Sequence, residues 1–150
     1  MSIKLIACDI DGTLIPYGQK ALPQELFPLL RRIRQAGIYF CPASGRSFPS
    51  LLRTFGPAAD ELCFLCENGA IVFGPGGEAA PILSKTAFPR QTALALCRDI
   101  MALPDGQAFI SGERTSFVCG GDTDGLIRFL EREVRCPALA VGDPEEIRED

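Results

Sequence analysis

The chain has 150 residues, 47% of them hydrophobic and 23% charged, with 15 Lys and Arg against 19 Asp and Glu for a formal net charge of −4. That composition excludes a disordered chain and supplies enough apolar side chain for one domain, or one domain and a fragment. No basic cluster exceeds Arg31-Arg32-x-Arg34, which falls on an amphipathic helix where a solvated face accounts for it, so no nucleic-acid partner is expected.

Ile3 to Cys8 is a short apolar run that reads as a strand buried on both faces. Met1-Ser2 leads straight into it, leaving no room for a signal peptide, and no apolar run reaches the roughly 18 residues of a membrane span. A cytoplasmic protein with no membrane partner is the expectation. Asp9-Ile10-Asp11-Gly12-Thr13 follows, with Asp9 at the strand's carboxyl end, where open α/β sheets bind ligands. Two carboxylates about 4 Å apart at an effective dielectric near 20 repel by roughly 4 kcal/mol. A Mg²⁺ ion would reverse that sign, leaving one carboxylate to attack an electrophile and the other to handle its proton. A calcium loop is excluded, because Thr13, Leu14 and Lys20 stand where it needs an oxygen-rich residue, Gly and Glu. A plain Asp-Gly turn explains Gly12 but neither Asp9 nor the strand end.

Pro23 to Ala36 carries apolar residues at 26, 29, 30 and 33 and stops at Gly37, so it reads as a helix with Pro23 in its first turn and Pro28 bending it or delaying its start. Ile38 to Ala43 is a second buried strand. After it, Ser44-Gly45-Arg46 offers a hydroxyl, an approachable amide and a guanidinium ahead of a helix over 47–55, with Ser47 as cap and Pro49 in the first turn. Those residues suit an anion, although a capped helix start explains them equally. Leu62 to Cys66 is the third strand, and the alternation implies a parallel sheet with helices on its faces.

The grammar changes after Asn68-Gly69. Residues 70–73 and 81–84, separated by Gly74-Pro75-Gly76-Gly77, form an expected antiparallel hairpin. A helix over 91–103, strands near 108–110 and 116–119, a helix over 123–134 and an apolar stretch ending at Gly142-Asp143 complete an α+β module. The seven cysteines, at 8, 41, 63, 66, 97, 119 and 136, suit a reducing compartment. Cys63-x-x-Cys66 has zinc-like spacing, but the chain has no histidine and no second close pair.

Taken together, Asp9 to Thr13, Ser44-Gly45-Arg46 and Glu67-Asn68-Gly69-Ala70 resemble the motifs of the haloacid dehalogenase-like hydrolases, especially their Cof-like sugar-phosphate phosphatase branch. The resemblance implies an α/β fold with a partial Rossmann-like parallel sheet over residues 1–84, hairpin included, and an inserted α+β cap module over 85–150. It implies a Mg²⁺-dependent phosphatase of small phosphorylated metabolites. Asp9 would be the nucleophile that becomes an aspartyl-phosphate, and Asp11 the acid for the leaving alcohol and base for water. The Asp9 carboxylate and Asp11 backbone carbonyl would hold the metal; Gly12, Thr13, Ser44, Gly45 and Arg46 would hold phosphate, with Asn68 nearby.

Members of this family continue to a Lys and a Gly-Asp motif beyond the cap. Only Lys4, Lys20 and Lys85 are present, and none follows the cap; Asp143 imitates the second motif but suits a late cap strand, and Asp122 and Asp124 suit a turn and a helix cap. The expectation is the front part of a longer phosphatase whose first strand forms an exposed apolar edge and favours dimers or larger species. The alternative is a catalytically incompetent phosphate-binding or assembly fragment.

Overall fold

The computed structural model describes residues 3–149, in two compact units that divide between Lys85 and Thr86. In the first unit β1 (Leu5–Asp9), β2 (Tyr39–Ala43) and β3 (Phe64–Cys66) pair in parallel. β4 (Ile71–Phe73) and β5 (Ile82–Lys85) continue the same sheet antiparallel, in the order β1-β2-β3-β4-β5. The hairpin thus extends the expected parallel core.

α1 (Leu26–Gln35) starts later than Pro23, which instead accepts a turn hydrogen bond from the Leu26 amide at 3.1 Å. Pro28 dictates this start: in the first turn its missing N–H is one that no helical carbonyl needs. α2 (Phe48–Phe55) has Ser47 at the N-cap position and Pro49 in its first turn, as expected. Both helices deliver apolar side chains, among them Leu26, Leu30, Phe48, Leu51 and Phe55, to the sheet face made by Phe40, Phe64, Cys66, Ile71 and Phe73. Phe48 stacks on Phe73 with centroids 3.7 Å apart and meets Phe64 edge-on at 5.7 Å. This aromatic cluster clamps the start of α2 to the sheet, and with it the loop that carries Ser44, Gly45 and Arg46.

The expectation that the first strand is buried on both faces is wrong. Ile6 and Cys8 pack against the core, whereas Leu5 is 54% exposed and Ala7 is also exposed. α1 and α2 pack on the same face, and β1 ends the strand order, so alternate residues of β1 face outward. The second strand is buried as expected at Phe40, Cys41 and Pro42; only its first residue, Tyr39, paired in register with Leu5, is exposed, with the Arg34 guanidinium 4.5 Å from its ring centroid. Arg34 of the basic triplet therefore makes a specific cation–π contact.

The second unit comprises α3 (Arg90–Met101), β6 (Ala108–Ser111), β7 (Ser116–Cys119), α4 (Thr123–Phe129), which continues as a π-helical turn to Val134, and β8 (Ala138–Ala140). β7 pairs antiparallel with β6 and parallel with β8. Asp122 caps α4 by accepting from the Gly125 amide at 3.0 Å, and Asp143 accepts from the Glu145 amide at 2.8 Å at the start of a 3₁₀ turn. Both carboxylates are thus engaged in local capping.

Candidate active site

Asp9, the last residue of β1, lies in register with Ala43, the last of β2, and Ala43 lies opposite Leu65 of β3. Parallel strands end on one edge, so the segments that follow them meet there. The Ser44 amide donates to the Leu65 carbonyl at 3.0 Å, the Asn68 amide to the Ser44 carbonyl at 3.1 Å and the Glu67 amide to the Arg46 carbonyl at 3.2 Å. Glu67 and Asn68 both hold left-handed backbone, with φ of 50° and 55°. Such conformations cost non-glycine residues energy and concentrate at functional sites.

The first loop is pinned by two buried isoleucines, Ile10 and Ile15, and the Ile15 amide donates to the Ile10 carbonyl at 2.8 Å. Between them Asp11, Gly12 and Thr13 are exposed, as is Asp9 before them. The Thr13 hydroxyl donates to Asp9 Oδ2 at 3.2 Å, which orients that carboxylate. The Gly12 amide, expected to face phosphate, donates instead to the Ile15 carbonyl at 2.8 Å. Closing the turn consumes it, and what the position requires of glycine is its φ of +87°.

Arg46 occupies a second unexpected arrangement. Its Nε donates to Asp11 Oδ2 at 3.1 Å and its Nη2 to Asp11 Oδ1 at 2.6 Å. The remaining nitrogen, Nη1, donates to Thr54 Oγ1 at 3.3 Å, and the Thr54 hydroxyl donates to the Ser50 carbonyl at 2.8 Å. Rather than standing open as a phosphate ligand, the guanidinium orients Asp11. Thr54 went unnoticed in the sequence because a threonine inside a helix most often bonds its own backbone, which this one also does.

Ser44 is buried, and its Oγ accepts from the Arg46 amide at 3.2 Å, an arrangement that leaves the hydroxyl proton to be donated elsewhere. The Asn68 side chain lies on Gly45: a Cβ there would come within 2.9 Å of Asn68 Oδ1. Cys8, just before Asp9, has its thiol pushed up by burial and then by the Asp9 charge. Cys63 and Cys66, three apart on an extended chain, point to opposite faces and cannot share an ion.

Among the described residues no three His, Cys, Asp or Glu side chains cluster as a metal site. The available donors are the Asp9 carboxylate and the Asp11 carbonyl. These hard oxygens suit Mg²⁺, which keeps several waters and is commonly held by one or two carboxylates together with substrate phosphate.

Comparison with known proteins identifies the family. The chain is 32% identical over 119 residues to the Escherichia coli K12 enzyme 5-amino-6-(5-phospho-D-ribitylamino)uracil phosphatase, covering 78% of this chain and 42% of that one. A crystal structure from Eubacterium rectale superposes with a TM-score of 0.77 at 26% identity, covering 99% of this chain and 54% of its own. A phosphatase of the haloalkanoate superfamily from Bacteroides thetaiotaomicron shares the fold, with a TM-score of 0.63 at 24% identity over 96% of this chain and 51% of its own. The chain therefore spans about half the length, or less, of the proteins it matches. The family model for haloacid dehalogenase-like hydrolases matches residues 6–120, and the chain belongs to that family, in its Cof-like branch.

Proposed function

We propose that the protein is a Mg²⁺-dependent phosphatase of small phosphorylated metabolites that works through an aspartyl-phosphate on Asp9. The observation that carries this reading is the unequal treatment of two neighbouring carboxylates. Asp9 accepts from Thr13 through Oδ2, leaving Oδ1 as an exposed nucleophile, whereas both oxygens of Asp11 are aligned by Arg46.

In the first step Asp9 Oδ1 forms a bond to phosphorus and the ester P–O bond breaks. Asp11 enters this step as the protonated acid, with one arm of the Arg46 fork released from the oxygen that carries the proton, and the departing alkoxide takes that proton. In the second, the Asp11 carboxylate takes a proton from water, the water oxygen bonds to phosphorus, and the Asp9–phosphorus bond breaks. The Ser44 hydroxyl donates to the charged oxygens with the Gly45 amide assigned beside it, while Thr13 spends its hydroxyl proton on Asp9 Oδ2 and so holds the nucleophile in place. The Asp9 carboxylate and the Asp11 carbonyl would hold Mg²⁺, whose positive charge would offset the repulsion between Asp9 and the phosphate.

The substrate class follows the named activity of the Escherichia coli relative, a phosphorylated small metabolite. The α+β unit from Thr86 onward is assigned as the cap that selects among such substrates, and the seven free thiols support a cytoplasmic setting. A second reading, a phosphate-binding fragment without turnover, is favoured by the lack of a third acidic ligand among the described residues.

One experiment separates the two. The protein is incubated with Mg²⁺ and a panel of sugar phosphates, quenched in acid, and the peptide containing Asp9 is weighed. Phosphate release together with a phosphoryl adduct on Asp9, both lost in Asp9→Asn, supports the enzyme. Phosphate binding without release or adduct supports the fragment.

A further inference from the structure

Tyr17 is 91% exposed, the most of the exposed large hydrophobic side chains, yet its ring is not adrift. Its Oη and Cζ lie 2.8 Å, and its Cε2 3.1 Å, from the point that a Cβ on Gly12 would occupy. The phenol is therefore laid across the backbone between Asp11 and Thr13. The chain behind it is fixed: Ile15 is buried, the Gln19 amide donates to the Pro16 carbonyl at 3.0 Å, and Gly18 turns the loop with a φ of +83°.

A ring held this way contributes little to folding, because most of its surface still faces water. It does place an aromatic ring and a hydroxyl over Gly12, the residue that directly follows Asp11, the group assigned to protonate the leaving alcohol. Rings of this kind, apolar with a polar tip and few torsions, suit recognition. Gly12 then has two requirements to meet, its positive φ and the space that the phenol occupies.

We propose that Tyr17 is a specificity-determining residue that contacts the leaving-group part of the substrate and favours phosphate esters with a flat ring next to the phosphate over esters of small acyclic alcohols. The inference rests on the reading of Asp9 and Asp11 as the phosphoryl site. Inorganic phosphate, which has no leaving group, gains nothing from the ring.

The sequence contains two tyrosines and no tryptophan, so Tyr39→Phe leaves Tyr17 as the sole intrinsic fluorophore of its class. In that background, with Mg²⁺ present, phenylphosphonate, ethylphosphonate and inorganic phosphate are titrated while tyrosine emission and heat are followed. Phenylphosphonate is expected to perturb Tyr17 emission saturably and to bind roughly three- to tenfold more tightly than ethylphosphonate. Tyr17→Phe, followed by heat, keeps that preference. Tyr17→Ala abolishes it and leaves inorganic phosphate affinity within about twofold. A phenyl preference that survives in Tyr17→Ala, or emission that stays constant while heat reports binding, overturns the inference and leaves the phosphoryl-site reading intact. If none of the three ligands binds, the phosphoryl-site reading fails and the inference fails with it.

Discussion

Arg46 grips both carboxylate oxygens of Asp11, at 3.1 and 2.6 Å, and is itself held by Thr54, whose hydroxyl is tied to the Ser50 carbonyl. The carboxylate proposed to handle the proton is thus oriented through α2, on a different segment from its own loop. Arg46→Ala is expected to lower kcat on a generic aryl phosphate on the order of 100-fold, the scale of a misplaced reacting group. Urea stability should change by less than about 1 kcal/mol, since Asp11 is 55% and Arg46 23% exposed. Arg46→Lys should not restore the rate, because an ammonium cannot form the two-point fork. Unchanged turnover in Arg46→Ala would remove Arg46 from the mechanism.

The two carboxylates should fail differently. Asp9→Asn removes the nucleophile and is expected to abolish turnover. Asp11→Asn should slow both steps but, with activated aryl phosphates that leave without a proton, should still load Asp9 and accumulate the acid-stable adduct. Mass spectrometry of quenched samples tests this, and an Asp11→Asn protein with wild-type turnover would refute the assignment.

Gly45→Ala forces a methyl to within 2.9 Å of Asn68 Oδ1. The expected cost is about 1–3 kcal/mol in urea unfolding, with weaker phosphate binding. Asn68→Gly suits the left-handed backbone at 68 and removes the obstructing amide, so the double variant should recover stability. The predicted coupling of at least about 1 kcal/mol is read from a double-mutant cycle; strict additivity would rule out the contact.

Alkaline pH should destabilise the first unit through its buried thiols. Burial pushes Cys66 up to about 12, with the Glu67 charge adding to it, and Cys41 up to about 11, with Cys63 adding, both from an ordinary 9.0. Above pH 9 the unfolded chain loses these protons first, so stability is complete below 9 and falls as pH rises toward 11 and 12. The slope is up to about 1.4 kcal/mol per pH unit for each thiol. Cys66→Ala should flatten the decline in urea midpoint between pH 9 and 11; an unaltered slope would contradict the burial argument.

β1 ends the strand order, with Leu5 54% and Ile3 68% exposed. An apolar edge of this kind templates pairing with another chain. Light scattering is expected to report dimers or larger species, and Leu5→Lys to shift them toward monomer. A monomer at high concentration in the unsubstituted protein would show that the edge is tolerated.

The sequence by itself determined the order of elements in the first unit and which strand ends share one edge. Short apolar runs ending in Asp9, Ala43 and Cys66, separated by helical periodicity, require parallel strands whose ends share an edge, so Asp9, Ser44 and Asn68 had to meet. The family followed from the motifs at those ends. Local pattern could not reveal which polar groups are already used once the segments meet. The engagement of the Gly12 amide by Ile15, the capture of Arg46 by Asp11 and Thr54, and the phenol of Tyr17 over Gly12 all depend on the directions of bonds brought together by folding. The one-sided burial of β1 has the same origin: hydrophobic residues mark a strand in sequence, but only the placement of α1 and α2 on a single sheet face decides which of them leave water.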